Sequence, residues 1–174
     1  NYTILMSGGV SSITNSDMMN VFVNECGESS DNVLVIKGES SSNAQNFENL
    51  LNQLTSGTIY SFESTTANGA SEQLADAIWA SGKFLFIDND YDDFMDFMET
   101  TNGTHIRNLI KANEAVSAFV GDNARFAGTT VVRNYLDPGA GYYAEFEFDP
   151  GLNLLQTSVV MPNTFKNSDV YENT

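Results

Sequence analysis

The 174-residue chain carries 23 Asp and Glu against 7 Lys and Arg, which gives a formal net charge of −16 at pH 7. This excess of acid argues against binding to nucleic acid or to an anionic membrane surface. No apolar run approaches the ~20 residues that span a bilayer, so we expect no membrane insertion. Hydrophobic residues make up 41% of the chain, and its length predicts a single domain over 1–174.

Apolar strands alternate with amphipathic helices along most of the chain. The predicted strands are 2–6, 32–37, 58–62, 83–87 and 116–120. The predicted helices are 17–26, 44–54, 72–81, 94–98 and 104–112. This alternation predicts an α/β fold, an open parallel sheet with helices on both faces. From residue 129 onwards the pattern becomes irregular and β-rich, with an apolar stretch at 129–133 and strands predicted at 142–148 and 152–161.

Two polar turns follow predicted strands, and both are candidate site segments. Asp88-Asn89-Asp90 follows the fourth strand, and Gly121-Asp122-Asn123 follows the fifth. Because sites in open α/β sheets lie beyond the carboxyl ends of strands, these residues form the predicted pocket. The second turn is of the strand-to-helix kind at which α/β hydrolases expose a nucleophile. At its tip, however, stands Asn123, whose carboxamide is a poor nucleophile.

The order of these motifs resembles the cyanophycinase and dipeptidase E group of serine peptidases, from Gly8-Gly9 to Phe165. The Asp88-Asn89-Asp90-Tyr91 loop is similar to the family's G-G-D-Q, and Gly121-Asp122-Asn123-Ala124-Arg125 to its G-T-S-A-G nucleophile turn. Gly151-Leu152-Asn153-Leu154-Leu155 is similar to its G-L-G-L-L run, and Met161-Pro162-Asn163-Thr164-Phe165 stands at its D-x-H-F histidine motif.

The resemblance implies a flavodoxin-like fold related to class I glutamine amidotransferases. This chain departs from the family pattern at the catalytic positions. The serine position is Asn123, and the histidine position is Asn163 or Thr164. Asp88 and Asn89 stand where the family's glycines help to form the oxyanion hole, and a carboxylate beside a developing oxyanion would destabilise it. No catalytic residue is therefore expected. The family domain normally continues further, so we expect the C-terminal portion to be missing or supplied by a second chain.

A second pattern over the same stretch is typical of a calcium loop. Asp88, Asp90 and Asp92, with Asp96 and Glu99, match the ligand spacing of an EF-hand. Asp93 stands where that loop requires Gly, and the favoured interpretation is a helix with an acidic first turn. We therefore expect no cofactor, with Ca²⁺ held by Asp88, Asp90 and Asp92 as the alternative.

Several single features leave both structural and functional interpretations open. Tyr135, Tyr142, Tyr143, Phe146 and Phe148 could form a ligand or partner surface, and core packing explains them equally well. The only histidine, His105, is interpreted as a capping or surface residue. Asn102-Gly103-Thr104 is a glycosylation sequon if the chain enters a secretory route. The lone Cys26 excludes an internal disulfide and is most often a small buried hydrophobe.

These observations favour a non-catalytic relative of the peptidases that serves as a secreted binding or structural, self-assembling module. Few Lys and many Asp, Asn, Ser and Thr suit an extracellular protein. We expect a homo-oligomer, or a second polypeptide that completes the sheet, because an unfinished edge strand invites pairing. The alternatives are a serine-peptidase-like hydrolase with an altered active site and a calcium-binding adhesive or matrix protein.

Overall fold

The computed structural model describes residues 3–6, 17–137 and 139–162. Five strands form one parallel sheet in the order β1-β5-β4-β2-β3. They are β1 (Thr3–Met6), β2 (Val33–Lys37), β3 (Ile59–Glu63), β4 (Lys83–Ile87) and β5 (Val116–Val120). The parallel sheet and its five strands are confirmed. Runs of Val, Leu, Ile and Phe form the central strands because both faces of such a sheet are buried.

Helices cover both faces of this sheet, as predicted. They are α1 (Met18–Asn20), α2 (Ser42–Leu54), α3 (Thr66–Gly69), α4 (Glu72–Ala80), α5 (Tyr91–Glu99) and α6 (Thr101–Lys111). One buried cluster joins α1 and α2 to Val33 and Val35, and the other joins α4, α5 and α6 to Leu34 and Ile36. Alternate residues of β2 thus enter opposite cores, which follows from the two-residue repeat of a strand.

One helical prediction needs correction, and one helix was not predicted. The predicted helix 17–26 is α-helical only over α1 and continues as a π-helix at Val21–Glu25. The four-residue α3 was not predicted, because Thr-Ala-Asn-Gly has no apolar repeat and contains a glycine. Its start is instead set locally by Thr65, whose side chain accepts a hydrogen bond from the backbone of Asn68.

A small second sheet follows β5 and has the order β7-β6-β8. Its strands are β6 (Gly128–Val132), β7 (Phe148–Pro150) and β8 (Leu155–Val159). The irregular β-rich C-terminal part is confirmed, but the predicted strand 142–148 is wrong. Turns occupy 139–144, and only Phe148 of that range belongs to a strand. Alternation of aromatic and acidic residues there does not place one side on a core, so it does not specify a strand.

Strand order creates a crevice at the carboxyl edge of the large sheet. β2 and β4 are adjacent, but the chain continues from β2 to β3 on one side and from β4 to β5 on the other. The segments that leave these two strands therefore diverge, and a cleft opens between them, as at other switch points of open α/β sheets. No helix in the described ranges is long and apolar enough to cross a bilayer.

Candidate functional site

An acidic cleft of about 370 Å³ lies at this switch point. It is formed by Gly38, Glu39, Ser64, Thr65, Thr66, Asp88, Asp90, Asp93 and Asp96. These residues follow β2, β3 and β4 or lie in the first half of α5. Its wall contains carboxylates, hydroxyls and backbone, but no Lys, Arg or His. The cleft therefore has the electrostatic character to attract a cation and to repel an anion.

Only part of the predicted pocket lies on this cleft. Asp88 and Asp90 contribute to its wall, whereas the turn after β5 does not. Glu39 was not predicted. Asp93 and Asp96 were considered only in the calcium pattern, Asp96 as a ligand and Asp93 as the residue that departs from the loop. The signal for their place in the cleft was spacing, because Asp90, Asp93 and Asp96 recur every third residue and so share one side of α5.

A buried amide pair lies beneath the cleft. The side chain of Asn89 donates to Oδ1 of Asn123 over 2.7 Å, and its backbone N–H donates to the same oxygen over 3.3 Å. The Asn89 side chain also donates to the Ile36 carbonyl and accepts from Ser64 Oγ at 2.7 Å. Asn89 and Asn123 are 5% and 1% exposed. The carboxyl ends of β2, β4 and β5 are thus joined by satisfied amides rather than by reactive groups.

The strand-to-helix turn differs in detail from a nucleophile turn. The residue in the left-handed region is Gly121, with φ 59°, and Asn123 lies two residues later in a 3-10 helix, Gly121–Ala127. A nucleophile turn places its reactive residue at the strained position. Here that position has no side chain. Asp122 is exposed and accepts a hydrogen bond from the Tyr135 hydroxyl at 2.6 Å.

Asp88 and Gly38 bring the ends of β4 and β2 into close contact. Asp88 has φ 53°, and a Cβ placed on Gly38 would lie 1.9 Å from the Asp88 carbonyl oxygen. The Asp88 carboxylate accepts from Ser41 Oγ at 2.6 Å and from the Asn43 amide at 3.0 Å. It is thereby held against the first turn of α2, where partial positive charge favours an anion.

The other acidic residues of the proposed calcium loop belong to α5. Asp90 is its N-cap and accepts from the backbone of Asp92 at 3.0 Å, and Asp92 and Asp93 lie in its first turn. The acidic helix start is confirmed. The carboxylate of Asp92 pairs with Arg133 at 2.7 Å. Within the described ranges, no group of three His, Cys, Asp or Glu side chains is arranged to hold a metal ion.

The small sheet is fastened beside the cleft through α5. The Tyr91 hydroxyl donates to the Pro150 carbonyl at 2.8 Å, and the Arg133 guanidinium lies 5.2 Å from the centre of the Tyr91 ring. Arg133 also pairs with Asp149 at 3.6 Å. Burial and the nearby Asp149 carboxylate raise the pKa of Tyr91 above its usual value. The ring therefore stays neutral and donates a hydrogen bond across the junction.

His105 lies away from the cleft. Its ring is 4.7 Å from that of Trp79, near the end of α4, from which the chain leads to the amino end of β4. The sequon residue Asn102 is 4% exposed and donates to the carbonyls of Asn68 and Ser71. Both residues therefore belong to the helix layer and not to the site. Gly8, Gly9, Asn163 and Thr164 lie outside the described residues.

A buried lysine, which sequence analysis did not single out, lies at the opposite edge of the sheet. Lys83 is fully buried, and its ammonium donates to the carbonyls of Val23 and Glu28 at 2.6 and 2.5 Å. Asp31 lies 3.7 Å away. Burial lowers the pKa of Lys83 below its usual value, and Asp31 opposes that shift. Lys83 satisfies carbonyls at the end of the π-helix and in the next turn, which is a structural role.

Comparison with known proteins shows a similarity of fold. No family model and no curated protein sequence matches the chain. The structure is similar to that of a peptidase from an acI-B1 Actinobacterium, with a TM-score of 0.59 and 12% sequence identity. The match covers 98% of this chain and 73% of that chain. At this identity the similarity concerns the fold, and the chain has a peptidase-like α/β fold.

Proposed function

We propose that the chain is a non-catalytic relative of the cyanophycinase and dipeptidase E peptidases and acts as a binding module. The observation that carries this proposal is the hydrogen bond from the Asn89 N–H to Asn123 Oδ1. In the resemblance, backbone at the position of Asn89 helps to stabilise the oxyanion, and Asn123 stands at the nucleophile. The Asn123 side chain, at the nucleophile position, therefore accepts a hydrogen bond from the N–H that an oxyanion would need. Its carboxamide cannot attack a carbonyl.

The acidic cleft supports a cationic ligand for this module. Glu39, Asp88, Asp90, Asp93 and Asp96 line a space of about 370 Å³, large enough for an ammonium or guanidinium side chain. The hydroxyls of Ser64 and Thr65 are neutral groups beside them. The proposed ligand is an amine, a guanidine or a basic residue of a peptide, with Ca²⁺ as the inorganic alternative.

A hydrolysis screen tests the non-catalytic part of the proposal. The purified chain is incubated with a mixed peptide library, and the products are followed by mass spectrometry beside Asn123→Ala and Ser61→Ala. Ser61 is an exposed residue of β3 and serves as the control. We expect equal and background cleavage from all three proteins. Cleavage by the wild type and Ser61→Ala that is lost in Asn123→Ala would show instead a hydrolase with an altered site.

A calorimetric titration tests the ligand class. Arginine amide, lysine amide and Ca²⁺ are compared with glutamate as the anionic control, using wild type, Asp93→Asn/Asp96→Asn and Glu72→Gln/Asp76→Asn. Glu72 and Asp76 are exposed on α4, and their substitution matches the loss of two charges away from the cleft. We expect a cation to bind the wild type and Glu72→Gln/Asp76→Asn, and the Asp93→Asn/Asp96→Asn variant to bind it about tenfold more weakly. Equal binding by all three would contradict a ligand in the cleft.

We further propose that the module is extracellular and works as a homo-oligomer or with a second polypeptide that completes the fold. The acidic, lysine-poor composition supports an extracellular setting. β1 and β3 are edge strands of the large sheet, and such edges support pairing with another chain. Intact mass and light scattering on natively purified material test the association, and a clean monomer would contradict it. Proteomic comparison of culture medium and cells tests the location.

A further inference from the structure

Three exposed aromatic side chains lie in the segment that joins β6 to β7 and in β7 itself. Tyr142, Tyr143 and Phe148 are 81%, 67% and 62% exposed. Tyr142 and Tyr143 form an edge-to-face pair with ring centres 5.0 Å apart, and Phe148 forms another with Phe146 at 6.2 Å. We call residues 139–149 the aromatic segment. Large aromatic residues that stay in water mark an interaction surface more often than scattered aliphatic ones.

The segment is also folded tightly, so its aromatic residues are presented on ordered backbone. Glu145 N donates to the Ala140 carbonyl at 2.8 Å, and Tyr143 N donates to the Gly139 carbonyl at 2.9 Å. The Asn134 side chain donates to the Glu145 carbonyl and accepts from Glu147 N. Binding to such a surface requires little ordering of the chain.

The charge of the segment indicates the kind of partner. It contains Glu145, Glu147 and Asp149 and no Lys or Arg. In the described ranges, no ion pair involves Glu145 or Glu147, and both are exposed. A second copy would bring the same acidic segment and a net charge of −16, so like charges would oppose that contact.

Other aromatic rings of this chain form cation–π contacts with arginine side chains. The guanidinium of Arg125 lies 5.2 Å from the centre of the Phe126 ring and 5.7 Å from that of Tyr135. Arg133 lies over Tyr91 in the same way. These are the two arginines closest in sequence to the segment, and both contact buried rings. Among the described residues, no Arg or Lys lies over the exposed rings of Tyr142 and Tyr143.

We propose that the aromatic segment binds an arginine-containing, extended stretch of another polypeptide. Guanidinium groups would stack on Tyr142 and Tyr143, and Glu145 and Glu147 would pair with the same or neighbouring cations. Arginine fits better than lysine because its planar, weakly hydrated cation stacks on aromatic faces. This surface is independent of the cleft and does not depend on the non-catalytic assignment.

Fluorescence anisotropy with labelled Arg/Gly, Lys/Gly and Asp/Gly peptides of equal length tests the proposal. The proteins are wild type, Tyr142→Ala/Tyr143→Ala, Glu145→Gln/Glu147→Gln, Trp79→Ala and Glu72→Gln/Asp76→Asn. Trp79 is 76% exposed on α4 and is the aromatic control. Glu72 and Asp76 are exposed on the same helix and are the charge-matched control, away from both the segment and the cleft. Circular dichroism and melting temperature confirm that each variant is folded, which the exposure of the substituted residues favours.

We expect the Arg peptide to bind the wild type more tightly than the Lys peptide and to lose about tenfold in affinity in each variant of the segment. Trp79→Ala and Glu72→Gln/Asp76→Asn should retain wild-type affinity. Equal loss in Glu72→Gln/Asp76→Asn would overturn the proposal, because the peptide would then respond to the net charge of the protein alone. Unchanged binding in the tyrosine variant, or a wild-type dimer abolished by the same substitutions, would also overturn it.

Discussion

The side-chain nitrogen of Asn89 lies 2.7 Å from Oδ1 of Asn123, and this buried contact joins the ends of β4 and β5. The Asn89 backbone N–H shares the same acceptor. Removing Asn123 leaves two donors of Asn89 without that partner in a dry environment. Asn123→Ala should therefore lower the free energy of unfolding by about 1–3 kcal/mol. Asn49→Ala, at an exposed position of α2, is the control and should change it by less than about 0.5 kcal/mol in urea titrations.

A side chain at Gly38 should clash with the backbone at the wall of the cleft. An added Cβ would meet the Asp88 carbonyl oxygen at 1.9 Å, and the contacting atoms belong to backbone, which cannot move aside as a flexible side chain can. Gly38→Ala should destabilise the fold by about 1–3 kcal/mol. At Gly82 the nearest atom is Asp31 Cγ in an adjustable side chain, 3.2 Å away. Gly82→Ala should therefore have the smaller effect in the same thermal melts, and the reverse order would contradict the close approach.

The lowered pKa of Lys83 should make the free energy of unfolding depend on pH in the alkaline range. Because burial lowers its pKa in the folded state, the unfolded chain binds more protons between that value and the ordinary 10.5. The contribution of Lys83 to stability therefore rises as pH increases through this window. Lys83→Met removes the titration and leaves the carbonyls of Val23 and Glu28 without their donor, so it should destabilise the fold at pH 7 by about 1–3 kcal/mol. The gap between wild type and variant should widen towards pH 10, and a constant gap would contradict the shift.

The raised pKa of Tyr91 should have the opposite effect on how stability depends on pH. Its pKa is raised above the ordinary 10.0, so the neutral hydroxyl contributes its full stability below that pH and loses it as pH rises through the folded-state value. Tyr91→Phe removes the bond to the Pro150 carbonyl and should cost about 1 kcal/mol at pH 7. The gap between wild type and variant should narrow above pH 10. Guanidinium denaturation of both proteins across that range measures it.

The burial of Asn102 should prevent glycosylation of the sequon in the folded protein. Its side chain is buried and donates to two carbonyls, at 2.9 Å each, so a glycan at that nitrogen is incompatible with this fold. Folded protein isolated from a secretory host should carry no glycan on Asn102, and peptide mapping by mass spectrometry measures this. Thr104→Ala removes the sequon and should leave the intact mass unchanged apart from the substitution itself. A glycosylated, folded fraction would contradict the burial.

The regular part of the fold follows from local patterns. Runs such as Val33–Lys37 and Lys83–Ile87 are apolar throughout, which identifies strands buried on both faces. Serine and threonine caps at Ser41, Ser71 and Thr100 begin three of the helices. The C-terminal part was harder to predict, because the turns of 139–144 are held by short-range backbone hydrogen bonds, such as that from Tyr143 N to the Gly139 carbonyl, which require no hydrophobic periodicity.

The sequence determined that this is an acidic parallel α/β domain and that the two polar turns after β4 and β5 come together, since parallel strands end at one edge. Only the tertiary structure decided which polar residues meet. It turns Asn123 inward onto Asn89 and gathers Glu39, Asp93 and Asp96 around the cleft. It also buries Lys83 and leaves Tyr142 and Tyr143 in water. The physical reason is that residue type and spacing fix which side of an element a residue occupies, whereas strand order and packing fix what that side meets.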